Sequence, residues 1–219
     1  MTQGVVLLAA NKRSYAFFAY NLAMSIKFHN PNIKIALLHD HCIENLWKDD
    51  LAIFDELIPL NTEEMLYNRR FNAGKVKVEI YDKLPFDENI YLDVDALCFQ
   101  DLQPMIDELS ALGGDYYCRL YGTANLDDAS THHFMQWVDP NKIYDKYLLD
   151  KSSGLQCPNT SLQFIRKSEQ TKKLFDTIQE LFNDPIPQGE LKTQWWLGTQ
   201  PDELYTAAAL CKLGMDADS

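Results

Sequence analysis

The sequence predicts an α/β fold of Rossmann-like type, a single domain with a mostly parallel central sheet flanked by helices. Three observations predict it. Apolar runs at residues 4–10 and 33–38 are continuous rather than alternating, the pattern of strands buried on both faces. Each is followed by a segment of helical length, giving a β-α-β-α-β opening with right-handed crossovers. A later apolar run, Ile90-Tyr91-Leu92, leads straight into Asp93-Val94-Asp95, and open parallel sheets bind ligands beyond the carboxyl ends of their strands.

The elements follow in order. After the first strand, Ser14 is the expected N-cap of a helix over 15–28. Asn30-Pro31-Asn32 is a turn before the second strand, whose polar exit is His39-Asp40-His41. A helix is expected over 43–54 and a short third strand over 57–60. Thr62-Glu63-Glu64 opens another helical segment, and 74–84 reads as a further helix ended by Pro85. Past the strand at 90–92, a helix over 101–109 has Asp101 as its expected N-cap, and 115–120 reads as a strand. Residues 121–154 are polar with no clear period. A strand over 160–166 alternates, Ser168 opens an amphipathic helix to 182, and 185–189 is a loop. Pro201 fits the first turn of a last helix over 202–213, stopped by Gly214. No repeat or linker interrupts the chain.

Composition narrows the function. The 219 residues are 46% hydrophobic and 24% charged, which excludes disorder, collagen and disulfide scaffolds. Twenty bases against 32 acids give a net charge of −12, which disfavours broad nucleic-acid binding but leaves room for a local pocket holding one small anion. No run approaches the roughly 18 apolar residues of a membrane span. The first apolar run has no basic segment before it and reads as a strand, not a signal peptide. Five widely spaced cysteines, an odd count without a CxxC pair, fit a reduced compartment, and a cytoplasmic protein is expected. The sequon Asn159-Thr160-Ser161 is then idle. His39-Asp40-His41-Cys42, and His132-His133 with Asp127-Asp128, lack the ligand spacing of a zinc site.

Asp93-Val94-Asp95 is the most informative triplet. Carboxylates at i and i+2 raise each other's pKa unless a cation neutralises them. A hard divalent ion does so, completing its shell with phosphate and water. The bland alternative is a turn with solvated surface charge. Elsewhere, Ala9-Ala10-Asn11 is small where a flat base would lie close to the backbone, and Asn11 and Tyr15 offer a hydrogen bond and a stacking ring. A plain strand–helix turn with Tyr15 in the core accounts for them equally well. Asp40, at a strand end, is a further candidate nucleotide contact. Lys75 or Lys77 would supply charge to a diphosphate, or Lys75 simply pairs with Glu79 at i+4. Arg69-Arg70 adds local positive charge.

The string LPFDENIYLDVDALCFQDL over 84–102 resembles the metal-binding segment of GT-A-fold glycosyltransferases, especially the glycogenin-like and bacterial galactosyltransferase-like group. Other short matches agree in order: the first strand and loop over 7–15, a basic residue before the DxD, the strand after Asn159-Thr160-Ser161, and the acidic pair after Pro201. The resemblance implies a metal-dependent transferase that moves a sugar from a nucleotide-diphosphate donor, a UDP-sugar above all, with retention. It implies one domain over 1–219, with 1–95 the nucleotide-binding half and 96–219 the sugar and acceptor half.

On that resemblance Asp93 and Asp95 hold Mn2+ or Mg2+. Ala10, Asn11, Tyr15, Asp40, Lys75, Lys77 and Val94 bind the nucleotide. Asn159, Ser161, Gln163 and Trp196 border the sugar, and Asp202 or Glu203 is catalytic. The acceptor is open: a glycan, a lipid-linked sugar or a protein. One departure stands out. The group's retaining members add a late histidine to the metal, and here no histidine follows His133. A non-catalytic nucleotide-sugar-binding module therefore stays as an alternative. A sugar-phosphate nucleotidyltransferase is a weaker one, because the Ala9–Arg13 segment has no glycine for a phosphate loop.

Overall fold

The buried runs of the sequence become the interior strands of a twisted sheet. The computed structural model describes residues 1–192 and 200–217. In chain order they form β1 (Gln3–Ala9), α1 (Arg13–His29), β2 (Lys34–His39), α2 (Lys48–Leu51), β3 (Glu56–Pro59), α3 (Thr62–Met65), β4 (Leu66–Tyr67) and β5 (Arg70–Phe71). There follow α4 (Ala73–Val78), β6 (Glu88–Leu92), α5 (Gln103–Leu112), β7 (Tyr116–Ala124), α6 (Pro140–Tyr147), β8 (Leu155–Arg166), α7 (Glu169–Asn183) and α8 (Asp202–Leu213). Six strands form one sheet in the order β3-β2-β1-β6-β8-β7. The first four are parallel, and β8 pairs antiparallel to β6. The sheet is thus mostly parallel and helix-flanked, as the sequence predicts.

The chain forms two compact units. The first comprises Met1–Glu64, Asp82–Tyr117 and Ser161–Lys167. Here β1 is an interior strand, with Leu7 opposite Leu37 on one side and Leu92 on the other. Val5, Leu7 and Ala9 join Ile35, Leu37, Ile90 and Phe164 in one apolar cluster. Helix α1 covers it with Ala16, Ala19, Leu22, Ala23 and Ile26. Three alanines on that face let the helix axis approach the sheet closely. At the amino end of β6, Glu88 is 2% exposed and takes hydrogen bonds from Arg166 (2.9 Å), Ser110 (2.7 Å) and Gln3 (2.6 Å). Burial pushes its carboxyl up, but these donors more than offset that and hold it below the usual carboxylate range.

The second unit comprises Met65–Tyr81, Cys118–Thr160 and Ser168–Ser219. Its core is α4, α7 and α8. Residues Leu204–Leu210 of α8 are all buried, as expected of a helix that is apolar all round. Gly74 is needed where α4 meets the start of α8, because a Cβ there would lie 2.7 Å from the Gln200 carbonyl oxygen. Asn72 caps α4 through the Lys75 amide and also donates to that same carbonyl.

Several local expectations are corrected. Lys12 is the N-cap of α1 without a side-chain bond, and Ser14 lies inside the helix. The helix expected over 43–54 is a 3₁₀ turn (His41–Asn45) followed by the short α2. The one expected over 74–84 is α4 followed by a 3₁₀ turn (Ile80–Lys83). In both stretches β-branched and turn-forming residues break the period. Asp101 accepts from the Gln103 amide one residue before the cap position, which Leu102 holds. By contrast α8 has the expected bounds, Asp202–Leu213, with Pro201 as its N-cap. The irregular-looking 121–154 stretch contains the end of β7, a 3₁₀ turn (Ala129–Phe134) and α6. Hairpin β4–β5 was not foreseen. Asn68 and Arg69 both have positive φ, as a two-residue turn of this kind requires.

Candidate active site

In the first unit β6 ends at Leu92 and the chain turns through Asp93-Val94-Asp95. Val94 is 7% exposed and belongs to the core cluster. With the turn anchored by that side chain, the flanking carboxylates stay outside, Asp93 half-buried and Asp95 exposed. The Asp93 amide donates to the Ser161 carbonyl at 2.9 Å, and the Tyr91 hydroxyl donates to Asp93 Oδ1 at 2.8 Å. The turn is therefore fixed from both β6 and β8. Gln163 lies opposite Tyr91 across the same pair of strands, is 4% exposed, and accepts from the Tyr116 hydroxyl at 3.0 Å.

The loop after β1 is held by Asp40. One of its carboxylate oxygens accepts from the Asn11 amide and the other from the Cys42 amide, both at 2.8 Å. Burial pushes the Asp40 carboxyl up, yet these bonds hold it below the usual carboxylate range. Asn11 sits at φ 74°, the left-handed region that asparagine tolerates better than most residues. It fills the place where a phosphate loop would carry glycine. Ala9 and Ala10 are buried, Asn11 is exposed, and Tyr15 is half-buried, edge-on to Phe18 at 6.3 Å. The sequence names Asp40 as a nucleotide contact. In the structure both its oxygens serve the two backbone amides.

A second group gathers in the second unit. Asp202 Oδ2 accepts from the Thr160 hydroxyl at 2.6 Å and lies 3.9 Å from Lys77 Nζ. Glu203 accepts from the Trp137 indole at 2.7 Å and lines a small recess with Tyr121, Phe134, Cys157 and Pro158. Burial first, then the neighbouring Asp202 charge, pushes the Glu203 carboxyl up to about 7, against the pull of Trp137 and Lys77. Lys75 is in an i,i+4 ion pair with Glu79 at 2.6 Å, the alternative the sequence left open for it. Asn159 is half-buried on β8. Trp196 lies outside the described residues.

Sequence reading passes over Thr160 and Trp137. A strand expected to begin at 160 hides the inward side of Thr160; the real strand begins at Leu155, and Thr160 is 2% exposed between half-buried Asn159 and exposed Ser161. For Trp137 no sequence signal exists, because its partner is 66 residues away.

Among the described residues, no group of three or more His, Cys, Asp or Glu is placed to hold a metal ion. The donor set at the β6 turn is two carboxylates. That set suits a hard cation such as Mg2+ or Mn2+, which keeps waters and takes phosphate oxygens, and not the closed N/S tetrahedron of structural zinc.

No protein-family model matches the sequence, and no curated protein matches it by sequence. The structure matches by fold, and the fold is that of the GT-A glycosyltransferases. The galactosyltransferase LgtC, solved with donor and acceptor sugar analogues, matches with a TM-score of 0.57 at 16% identity, over 96% of this chain and 72% of that one. The bifunctional glycosyltransferase WbbM matches with a TM-score of 0.61 at 10% identity, over 100% of this chain and 38% of that one. Mouse xyloside xylosyltransferase 1 gives 0.53 at 10% identity, over 96% and 82%. Among the described residues, no helix is long and apolar enough to cross a membrane.

Proposed function

We propose that this chain is a metal-dependent, retaining glycosyltransferase that moves a sugar from a nucleotide-diphosphate donor, preferably a UDP-sugar, to a hydroxyl of a glycan, lipid-linked sugar or protein. The observation that carries the reading is the anchored Asp93-Val94-Asp95 turn at the carboxyl end of β6, in a fold shared with an enzyme solved with donor and acceptor sugar analogues. Asp93 and Asp95 would hold Mn2+ or Mg2+, which when bound offsets the charge of the leaving diphosphate. Ala10, Asn11 and Tyr15 take the base, with Val94 beside the metal pair. Lys77 supplies positive charge, Asn159, Ser161 and Gln163 border the sugar, and Asp202 orients it. Glu203, held at about 7, exchanges a proton in the range where an acceptor hydroxyl must lose one.

Calorimetry with UDP tests this. Asp95→Asn should abolish Mn2+-dependent binding while leaving the melting curve unchanged, and unaltered affinity rejects the assignment. Glu203→Gln should lower donor turnover by roughly a hundredfold with UDP affinity retained. A second reading is a nucleotide-sugar-binding module without turnover, which keeps the Asp93-Val94-Asp95 turn but moves no sugar. Tight UDP-Mn2+ binding without donor hydrolysis would select it.

A further inference from the structure

A carboxyl that trades a proton during a reaction must keep its place in both charge states. Glu203 stands in the first turn of α8. Its Oε2 accepts from the Trp137 indole at 2.7 Å, and the carboxylate also takes the Thr160 amide. An indole N–H donates and cannot accept, so Oε2 faces it as an acceptor whether the carboxyl is charged or neutral. A hydroxyl or an imidazole in that place could reverse its bond as the proton moved and let the side chain turn.

Trp137 lies in irregular chain between the 3₁₀ turn (Ala129–Phe134) and α6, yet it is held from both sides. Before it, Phe134 rests on Gly122 of β7, where a Cβ would fall 2.7 Å from the ring, and Met135 is buried. After it, Val138 is buried and Asp139 caps α6 through the Asn141 amide at 3.0 Å. The Trp137 carbonyl accepts from the Lys192 amide at 2.7 Å, and Lys192 Nζ donates to the Met135 carbonyl at 3.0 Å. A half-buried tryptophan fastened in this way is a preorganised donor. It lines the same recess as Glu203, with Tyr121, Cys157 and Pro158.

We propose that Trp137 is the positioning residue of Glu203: its indole fixes the carboxyl beside the recess and sets the pH at which that carboxyl yields its proton. The inference rests on the reading of Glu203 as the proton-exchanging group of the transfer. Among the described residues, the charged and titratable groups acting on Glu203 are Asp202 beside it on α8, Lys77 on α4 and the Cys157 thiol on β8. Burial first, then Asp202, pushes the carboxyl up, and of the groups that pull it down Trp137 acts more strongly than Lys77 or the Thr160 amide. Burial pushes the Cys157 thiol up to about 11, so it stays neutral. Removing the indole donor disfavours the charged carboxylate, and the folded pKa of Glu203 rises.

Two measurements test this. In protein isotope-labelled at the indole nitrogens, the Trp137 N–H resonance is assigned by substituting Trp47, Trp195 and Trp196 with Phe in turn. Followed from about pH 5 to about pH 9, it should move with a single midpoint near pH 7. It should stay flat in Glu203→Gln, which keeps an acceptor oxygen and loses the titration. In hydrolysis of UDP-galactose with Mn2+, Trp137→Phe should move the acidic limb of the pH–rate profile up by about one to two pH units, with KM within about twofold of the parent. A resonance that does not titrate, or that titrates equally in Glu203→Gln, overturns the proposal. So does a folded Trp137→Phe whose turnover falls by the same factor at every pH, the mark of a merely structural residue. The first measurement leaves Trp137 in place, so it decides even where Trp137→Phe does not fold. A parent that hydrolyses no donor counts against the transfer reading instead, and the indole titration then decides this inference by itself.

Discussion

Glu203, half-buried, and Asp40, buried, are carboxylates shifted in opposite directions. The folded pKa of Glu203, about 7, exceeds the ordinary value of about 4.3. Between those values the folded chain holds a proton that the unfolded chain has lost, so stability falls as pH rises through the window and stays lower above it. Glu203→Gln removes the titration. Its melting temperature should therefore gain on that of the parent from pH 5 to pH 8, and a constant difference across that range would refute a desolvated carboxyl. Asp40 is held below its ordinary value, so its contribution is present above about pH 4 and lost as pH falls through the folded value. Asp40→Ala leaves the Asn11 and Cys42 amides without their acceptor, at about 1–3 kcal/mol, read by denaturant melting. Lys77→Ala should weaken UDP binding more than Lys75→Ala does, because Lys75 is held by Glu79 at 2.6 Å whereas Lys77 lies 3.9 Å from Asp202, a looser pair. Equal affinities would remove Lys77 from the nucleotide set.

At the scale of elements, Gly74→Ala is the sharpest test. A Cβ 2.7 Å from a backbone carbonyl meets an atom that cannot swing aside, so α4 and the start of α8 must separate. The expected result is a melting temperature several degrees lower, of the order of 1–3 kcal/mol for overpacking, where the same change in an exposed helix would stabilise. Ser168→Ala removes the bond to the Thr171 amide that starts α7, at about 1 kcal/mol. That cap was legible in the sequence, as were β1, β2 and the ends of α8, because long apolar runs and Gly214 in a left-handed C-cap declare themselves locally. The Asp93-Val94-Asp95 turn was legible for the same reason: strand and polar exit are contiguous. Thr160 with Asp202 and Trp137 with Glu203 were not, since each partnership joins residues 42 and 66 positions apart. Asn72 and Gly74 likewise answer to a carbonyl at residue 200, which no window around 74 contains.

At the scale of the molecule, Glu88 and Arg166 fasten the amino end of β6 to β8. Arg166→Met leaves a buried carboxylate without its cation, at about 3–5 kcal/mol, and adding Glu88→Gln should recover much of the loss, checked by chemical denaturation of both variants. The interior position of β1 has a consequence in time. Its partner β2 follows within forty residues, but Gln3 pairs with Glu88, which leaves the ribosome roughly 4–17 s later at about 5–20 residues per second. Until then one edge of β1 is open, and no residue of Gln3–Ala9 carries a charge to discourage pairing with another nascent chain. The nearest gatekeeper charges, Lys12 and Arg13, lie beyond its carboxyl end. Yield in cells depleted of a holding chaperone should therefore fall while the melting temperature of the protein that does fold stays where it was.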